Sequence, residues 1–476
     1  MNEDGATPAD RFDGRSLHFI AIGGAGMSGL ALICHQLGAR VTGSDRSDST
    51  YMERLRKAGL EPIVGHAADQ VPPGADVVVS TAIGEDNPEL AIARDRGQHV
   101  IHRGELLAEL TELAGGLIAV AGAHGKTTTS GMVTHALRAA GAAPAFVLGG
   151  ELPGAAADGG PLNAGWGDGG AVVAEADESD GSFLRLTPDV ALVTNVELDH
   201  HSHWGGEVEL WTAFADFCAK ARTVVAPAGD AVRLGADTSF AVVAPDEAPG
   251  AGPSADFLAF DIEPGAGGSS FSMRSPAGEL EVRLSVPGRH NVANATAALA
   301  AMHAAGAGEA LPPLAALAEA LASFRGMGRR LELKGTCRGA RIYDDYAHHP
   351  TEVAASLAAL RELPHRRLFV VFQPHLYSRT KALAGRFGRA LVAADVVAIL
   401  DIYAAREEPV GELAGVSGLD VARAAASAEP GRRVLWLDRL DRAAAILAPE
   451  LGEGDILATI GAGDVFKVAD ELVATP

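Results

Sequence analysis

Residues 117–131 read LIAVAGAHGKTTTSG, and the types and spacing in that run suit the holding of a phosphate. Residues 117–120 predict a short buried strand, 121–125 a tight loop containing Gly122, His124 and Gly125, and Lys126 the start of a helix. Backbone N–H groups at such a helix start point at a bound anion, and the lysine adds a charge that reaches the β- and γ-phosphates of a nucleotide. Thr127 or Thr128 offers a hydroxyl to Mg²⁺. The usual phosphate loop would have its first glycine where Val120 stands, so this loop is a shortened version.

A magnesium site needs hard oxygen ligands. AVVAEADESDGSF (171–183) supplies Glu175, Asp177, Glu178 and Asp180 straight after an apolar run. Ligands in open α/β sheets bind at such strand ends, so Glu175, nearest the strand, is the expected metal ligand with the others around it. TNVELDHHSHWG (194–205) adds Asn195, Asp199, His200, His201 and His203. Zinc would suit three close histidines, but no cysteine or partner motif accompanies them. His200 alone, serving a second Mg²⁺ or a substrate phosphate, is the more economical reading. GRHNVANATAALAA (288–301) opens a helix with His290, Asn291 and Asn294. Asparagine amides pair with the N6/N7 edge of adenine, whereas a helix cap plus one exposed asparagine explains the same residues without a ligand.

The elements that must position these residues recur in cycles. Up to about residue 112, five short apolar runs alternate with helical stretches and predict parallel βαβ units. A second cycle begins at Leu117, with 149–170 and 245–257 as Gly/Asp/Pro-rich surface loops. A third starts near Gly328, its strands separated by alanine-rich helices such as 351–363. The expected fold is three consecutive α/β domains with mostly parallel sheets. They are a Rossmann-like domain (1–112), a central phosphate-loop ATPase domain (113–327) and a Rossmann-like C-terminal domain (328–476).

Two further groups of residues carry chemistry. In IAIGGAGMSG (20–29), Gly24, Gly26 and Gly29 match G-x-G-x-x-G after a strand, and Asp45 ends the next strand. A nicotinamide or flavin dinucleotide fits that motif, a nucleotide-sugar diphosphate fits it equally, and glycines kept only for helix–strand packing would explain it too. An oxidoreductase would leave the G-K-T-T loop and the acidic cluster unexplained. In the third cycle, RIYDDYAHHPTEV (341–353) and FQPHLYSRT (372–380) place Asp345, Tyr346, His348, His375 and Arg379 after successive strands, and Arg379 suits a bidentate grip on a carboxylate.

Composition bounds the function. The 476 residues are too many for one ordinary core, and 47% hydrophobic with 5% aromatic content suits alanine-rich α/β domains. A net charge of −22 argues against general nucleic-acid binding. Cys34, Cys218 and Cys337 have no metal spacing and are expected to be reduced. The polar N-terminal segment does not read as a signal peptide, and no apolar stretch is long enough to span a bilayer, so a cytoplasmic protein is expected.

AGAHGKTTTSG, EADESDGSF, NVELDH, GRHNVANATAA, DDYAHHPTEV and FQPHLYSRT, in this order and with GGAGMSGLA before them, resemble the Mur ligase family. Within it they are similar to the type that adds L-alanine to UDP-N-acetylmuramate. The resemblance spans essentially the whole chain. It implies an ATP-dependent amide ligase of peptidoglycan precursor synthesis that works through an acyl phosphate. The related murein-peptide recycling ligases, which take a tripeptide, are the alternative within the fold. The implied cofactors are ATP and two Mg²⁺ ions, with Mn²⁺ able to substitute, and the implied assembly is a monomer or weak homodimer without nucleic-acid or membrane partners.

The resemblance also implies residue roles. Gly24, Ala25, Gly26, Met27 and Ser28 form a diphosphate loop for the UDP-sugar, with Asp45, His66, Ser80, Asn87, Glu89 and Arg103 nearby. Lys126, Thr127, Glu175 and His200 serve MgATP, with adenine at Asn291 and Asn294, and Arg330 and Asp345 reach the phosphates and ribose. Tyr346, His348, His375 and Arg379 meet the alanine. Family members often carry an arginine where Leu376 stands, so one carboxylate contact is missing or supplied differently here.

Overall fold

The structure is a computed structural model that describes residues 7–114, 116–156, 159–198, 204–244, 254–265, 267–405 and 407–474. The chain forms two compact units. One comprises Met1–Asp261, Ser272–Val282 and Ala293–Phe324; the other comprises Ile262–Phe271, Arg283–Val292 and Arg325–Pro476. Among the described residues no helix is long and apolar enough to cross a membrane. Cys34, Cys218 and Cys337 are buried and unbridged.

The first sheet contains β1 (Ser16–Ile20), β2 (Arg40–Asp45), β3 (Ile63–Val64), β4 (Asp76–Val79) and β5 (Val100–His102), all parallel in the order β3-β2-β1-β4-β5. Successive side chains point to opposite faces. Leu17, Phe19 and Val78 therefore enter one core, under the helix Ala25–Gln36, while Ile20 and Val77 enter another, under Pro88–Asp95. Order reverses between β1 and β4, and such a switch point opens a crevice at the carboxyl ends of the strands.

The second sheet follows with β6 (Leu117–Ala121), β7 (Ala145–Leu152), β8 (Leu162–Gly165), β9 (Val172–Glu175), β10 (Val190–Val193), β11 (Thr223–Pro227), β12 (Thr238–Val242), β13 (Phe257–Gly265), β14 (Gly268–Ser275) and β15 (Gly278–Leu284). Its order is β15-β14-β13-β12-β11-β10-β6-β9-β7-β8. β6 lies between β9 and β10, with Val120 paired to Glu175 and Ala121 to Val193. The three loops that the sequence marks for phosphate and metal thus leave neighbouring strand ends.

Part of this sheet corrects the sequence reading. Residues 149–170, expected as a surface loop, carry β7 on to Leu152 and contain β8, which pairs with it antiparallel. Leu152, Asn163 and Ala164 are buried. Gly165 is required because a β-carbon there would stand 2.9 Å from the Phe146 ring. Short burial runs between glycines leave no period long enough to recognise.

The third sheet belongs to the second unit: β16 (Glu332–Cys337), β17 (Ala340–Asp345), β18 (Leu368–Phe372), β19 (Val396–Leu400), β20 (Arg433–Leu437) and β21 (Ile456–Ile460), ordered β16-β17-β21-β18-β19-β20. Only β16 runs antiparallel, as an edge that the sequence pattern does not reveal. A buried core covers each face.

Candidate active site

β6 ends at Ala121, and the chain turns through Gly122–Gly125 into the helix Lys126–Ala139. Gly122 has φ +132°, and a β-carbon there would collide with Thr194 Oγ1 at 2.1 Å. Gly125 caps the helix in the left-handed region (φ +83°), and its missing β-carbon would lie 2.6 Å from Asn294 Oδ1. The loop is clasped from β10. Asn195 Oδ1 accepts from His124 N (3.1 Å), Asn195 Nδ2 and Thr194 Oγ1 donate to His124 O (2.8 and 2.6 Å), and His124 Nε2 pairs with Glu197 (3.0 Å). The N–H groups of the first turn of the helix have no carbonyl partner within the helix.

Lys126 Nζ donates to Gly122 O (2.5 Å) and to Glu178 Oε2 (2.7 Å). Burial opposes its charge, but Glu178, Asp177 and Glu175 outweigh burial and raise its pKa. Burial also lifts Glu178, whereas Asp177 is held far below the ordinary carboxylate range because Lys126 and Arg103 outweigh its burial. Arg103 Nη2 donates to Asp177 Oδ2 (2.8 Å) and Asp180 Oδ2 (2.9 Å). Glu175 Oε1 accepts from Gly149 N (2.6 Å) and Ser130 Oγ (3.4 Å). Four carboxylates therefore face two cationic side chains. That excess of hard anionic oxygens is the donor set that suits a divalent ion such as Mg²⁺.

The glycine loop of the first sheet lies in the same compact unit. Gly24 caps the helix Ala25–Gln36, and a β-carbon on Gly26 would stand 3.1 Å from Arg103 Nη1. One guanidinium thus touches the glycine loop with one nitrogen and the acidic loop with another. Gly29 approaches β8, where its β-carbon would meet Ala164 Cβ at 3.0 Å. Asn163 Nδ2 donates to Ala25 O (2.7 Å) and Ser28 Oγ (3.2 Å), fastening the glycine helix to the hairpin β7–β8.

In the second unit, loops after β17, β18 and β19 gather a row of rings. Tyr346 meets His348 at 5.6 Å between centroids, His348 meets His375 at 6.1 Å, and His375 stacks on Tyr403 at 5.9 Å and 14°. Arg379 Nη1 donates to His375 Nδ1 (3.3 Å), and Arg330 lies over the Tyr346 ring (5.3 Å). Tyr403 also pairs through its backbone, donating to Pro374 O and accepting from Leu376 N. Leu376 is held there at φ +69°.

Three family profiles match along the chain: "Mur ligase family, catalytic domain" over residues 16–114, "Mur ligase middle domain" over 120–302 and "Mur ligase, glutamate ligase domain" over 329–463. The UDP-N-acetylmuramate–L-alanine ligase of Kineococcus radiotolerans is 44% identical, over 96% of this chain and 95% of its own. The chain belongs to the Mur ligase family. The corresponding ligase of Streptomyces coelicolor is 42% identical over 96% of this chain and 97% of its own. Among solved structures, the UDP-N-acetylmuramate–alanine ligase of Thermotoga maritima superposes with a TM-score of 0.81, at 28% identity, over 96% of this chain and 98% of that one. A murein peptide ligase of Psychrobacter arcticus gives 0.69 at 25% identity, over 97% and 98%.

Several positions differ from the roles that the Mur ligase resemblance implied. Met27 and Ser28 turn inward, 4% and 3% exposed, because this face of the glycine helix is covered by the hairpin. Asp45 Oδ2 accepts from Gly23 N (3.0 Å) and so braces the glycine loop. Asn87 caps the helix Pro88–Asp95, and Glu89 is wholly buried. Asn291 spends its amide on Pro287 O (2.7 Å) in the first turn of its helix, so Asn294 is the asparagine beside the phosphate loop. Asp345, 4% exposed, accepts from Leu331 N (2.9 Å), Ala347 N (2.7 Å) and Ser356 Oγ (3.2 Å), which makes it an internal brace. Burial, with the Arg330 charge beside it, pushes His290 down to about 4, so its imidazole is neutral near pH 7. Ser80 follows β4, at the strand-end edge that carries the glycine loop. Thr127 and Thr128 are buried in the first turn of their helix. His200 lies outside the described residues.

Sequence reasoning missed Gly149, Thr194 and Tyr403. Tyr403 had a visible signal, an aromatic residue just past the apolar run VVAIL at 396–400. Gly149 had none, since its use depends on Glu175 arriving from another strand.

Proposed function

We propose that this chain joins L-alanine to the lactyl carboxylate of UDP-N-acetylmuramate with hydrolysis of ATP to ADP and phosphate. The observation that carries the reading is Arg103, whose single guanidinium spans the glycine loop and the acidic loop beside Lys126. A carboxylate delivered from a diphosphate on the first loop would meet a γ-phosphate held at the second. The names and high coverage of the relatives support the substrates. The murein peptide ligase, at lower identity, supports the tripeptide alternative less.

In this reading residues 1–112 hold the UDP-sugar, 113–327 hold MgATP and 328–476 bring the amino acid. An oxygen of the lactyl carboxylate attacks the γ-phosphorus and ADP leaves. The alanine amine then attacks the acyl carbonyl, a tetrahedral intermediate collapses, and phosphate leaves. Phosphoryl transfer depends mainly on positioning and charge stabilisation, so Lys126 and the N–H groups of the first helical turn do most in the first step. Thr127, Glu175 and His200 would hold Mg²⁺, which when bound neutralises charge on the phosphate oxygens. Gly149 and Ser130 aim Glu175; Asn294 and Gly125 border the nucleotide. Arg379 grips the alanine carboxylate, the ammonium proton is assigned to His348 or His200, and Tyr346 and His375 frame the amino acid. The enzyme works in the cytoplasm, as a monomer or weak dimer.

The test is ADP release with UDP-N-acetylmuramate, run in parallel with L-alanine, glycine, L-serine and a preformed tripeptide. L-Alanine is expected to drive release fastest. Release driven by the tripeptide and not by L-alanine would replace this reading with the recycling one.

A further inference from the structure

The hairpin of β7 and β8 is hydrogen-bonded into the second sheet but packed into the core of the first. Val147 and Ala164 belong to the same buried cluster as Met27 and Leu30 of the glycine helix. The bare side of Gly29, the last glycine of that helix's motif, rests on the hairpin. A β-carbon there would stand 3.0 Å from Ala164 Cβ, 3.3 Å from Asn163 Nδ2 and 3.5 Å from Val147 Cγ1. At the other end of the helix, Gln36 Oε1 accepts from Trp166 N (2.9 Å). Strand register then sets Asn163 in a particular place. Val147 pairs with Ala164 and Leu152 with Leu162, so Asn163 stands opposite a bulge formed by 148–151. Gly149, whose N–H holds Glu175 Oε1 at 2.6 Å, lies in that bulge. Glu151 at its end pairs with Arg54 of the helix Thr50–Lys57.

Asn163 is buried, and its amide works on the glycine helix rather than on its own sheet. Nδ2 donates to Ala25 O (2.7 Å) and Ser28 Oγ (3.2 Å), and Ser28 Oγ donates to the same carbonyl (3.0 Å). The carbonyl of Ala25 and the N–H of Gly26 belong to one planar peptide. Fixing the oxygen therefore aims that N–H towards the start of the helix, where first-turn donors have no carbonyl partner and an anion is favoured. An anion on the N–H polarises the peptide and makes its oxygen a better acceptor for Asn163. The side chain that clamps the glycine loop thus lies directly across the hairpin from the segment that aims Glu175. All of these residues belong to one compact unit.

We infer that Asn163 is a positioning residue that couples two sites. It ties the peptide Ala25–Gly26, which meets a diphosphate, to the hairpin that aims Glu175 at a divalent ion, so that each ligand strengthens the binding of the other. The inference rests on the reading that the glycine loop takes the UDP part of the substrate and Glu175 takes Mg²⁺. Linkage makes the effect reciprocal: the factor that MgADP adds to UDP affinity is the factor that UDP adds to MgADP affinity. The coupling favours the state in which both sites are loaded, from which phosphoryl transfer proceeds.

Calorimetry on the full chain tests this by measuring UDP affinity with and without saturating MgADP. The wild type should bind UDP about tenfold more tightly with MgADP present. ADP with EDTA in place of Mg²⁺ should add less than about twofold, because Glu175 acts through the ion. Asn163→Leu keeps the shape of the side chain, removes both donated hydrogen bonds and leaves Arg103 in place. It should cut the factor to below about threefold. If that variant folds poorly, Gly29→Ala makes the same test from the other face, since alanine suits a helix and its β-carbon, 3.0 Å from Ala164 Cβ, pushes the hairpin away. Gly149→Ala added to Asn163→Leu should lower the factor no further, because both cut the same link. A factor that stays above about threefold in folded Asn163→Leu or Gly29→Ala, or a full gain from ADP without Mg²⁺, would overturn the coupling. So would a wild type whose UDP affinity MgADP leaves unchanged. A wild type that binds no UDP would instead remove the reading on which the inference rests.

Discussion

Replacing Gly149 with alanine is expected to disable the enzyme while leaving it folded. Gly149 lies on β7 without a positive φ, so alanine fits the backbone. An added β-carbon would stand 2.5 Å from Glu175 Oε2 and 2.9 Å from its Cδ. Ordinary contact begins at 3.4 Å, so the carboxylate must retreat by about 0.9 Å. The same retreat stretches the 2.6 Å hydrogen bond from Gly149 N. A displacement of about 1 Å at a reacting centre costs on the order of 100-fold in rate, or about 2.7 kcal/mol of transition-state stabilisation. Folding suffers little, because Gly149 is exposed and the group that moves is the end of a flexible side chain; about 0.5 kcal/mol is expected. The assay is ADP release across a Mg²⁺ titration, with a thermal melt beside it. Turnover should fall about 100-fold and half-saturation by Mg²⁺ should rise, with the melting temperature within about 2 °C of wild type. Turnover within about threefold of wild type, or a loss matched by unfolding, would refute the reasoning.

Arg103→Met leaves Asp177 and Asp180 without their guanidinium and should cost about 3 kcal/mol, while calorimetry finds both UDP and ADP weakened. Arg103→Lys restores the charge but not the fork and should recover only part of the loss; full binding of both nucleotides by Arg103→Met would disprove the bridging role. Burial lifts Asp345 to about 6 from 3.8, Arg330 notwithstanding, so between those values the folded chain holds a proton that the unfolded chain has released. Stability contributed by Asp345 therefore falls as pH rises through that window, by about 3 kcal/mol. Asp345→Asn should lack that fall in melts taken from pH 4 to 6.5, and parallel curves for variant and wild type would contradict it. Tyr403→Ala removes the ring stacked on His375 and should raise KM for L-alanine about tenfold with KM for ATP unchanged. An unmoved alanine KM would take Tyr403 out of the site.

Much of this organisation is legible in the residues alone. Apolar runs of four or five residues ending in polar loops mark β6, β9, β10 and β18, because a strand buried on both faces must be continuously apolar. G-K-T-T after such a run marks a helix start that faces an anion, since its glycines and lysine serve the loop in which they occur. The hairpin β7–β8 escapes because glycines interrupt its buried residues, and the edge strand β16 escapes because it is largely unburied and carries no clear period.

The chain's own order of residues therefore determined the strands, the phosphate loop and the carboxylates available to it, all of which depend on neighbours a few positions apart. Tertiary structure alone decided which of those groups work together. Glu175 needs the N–H of Gly149 from another strand, and Arg103 needs Asp177 and Asp180 from 74 and 77 positions away. The same holds for the acidic and polar residues that turned out to be braces. Glu89, Asp345 and Asn291 look like ligand contacts by type, and burial against their own backbone and neighbours assigns them to support. Hydrogen-bonding capacity is a property of the residue, whereas the partner that satisfies it is fixed only when the strands are laid side by side.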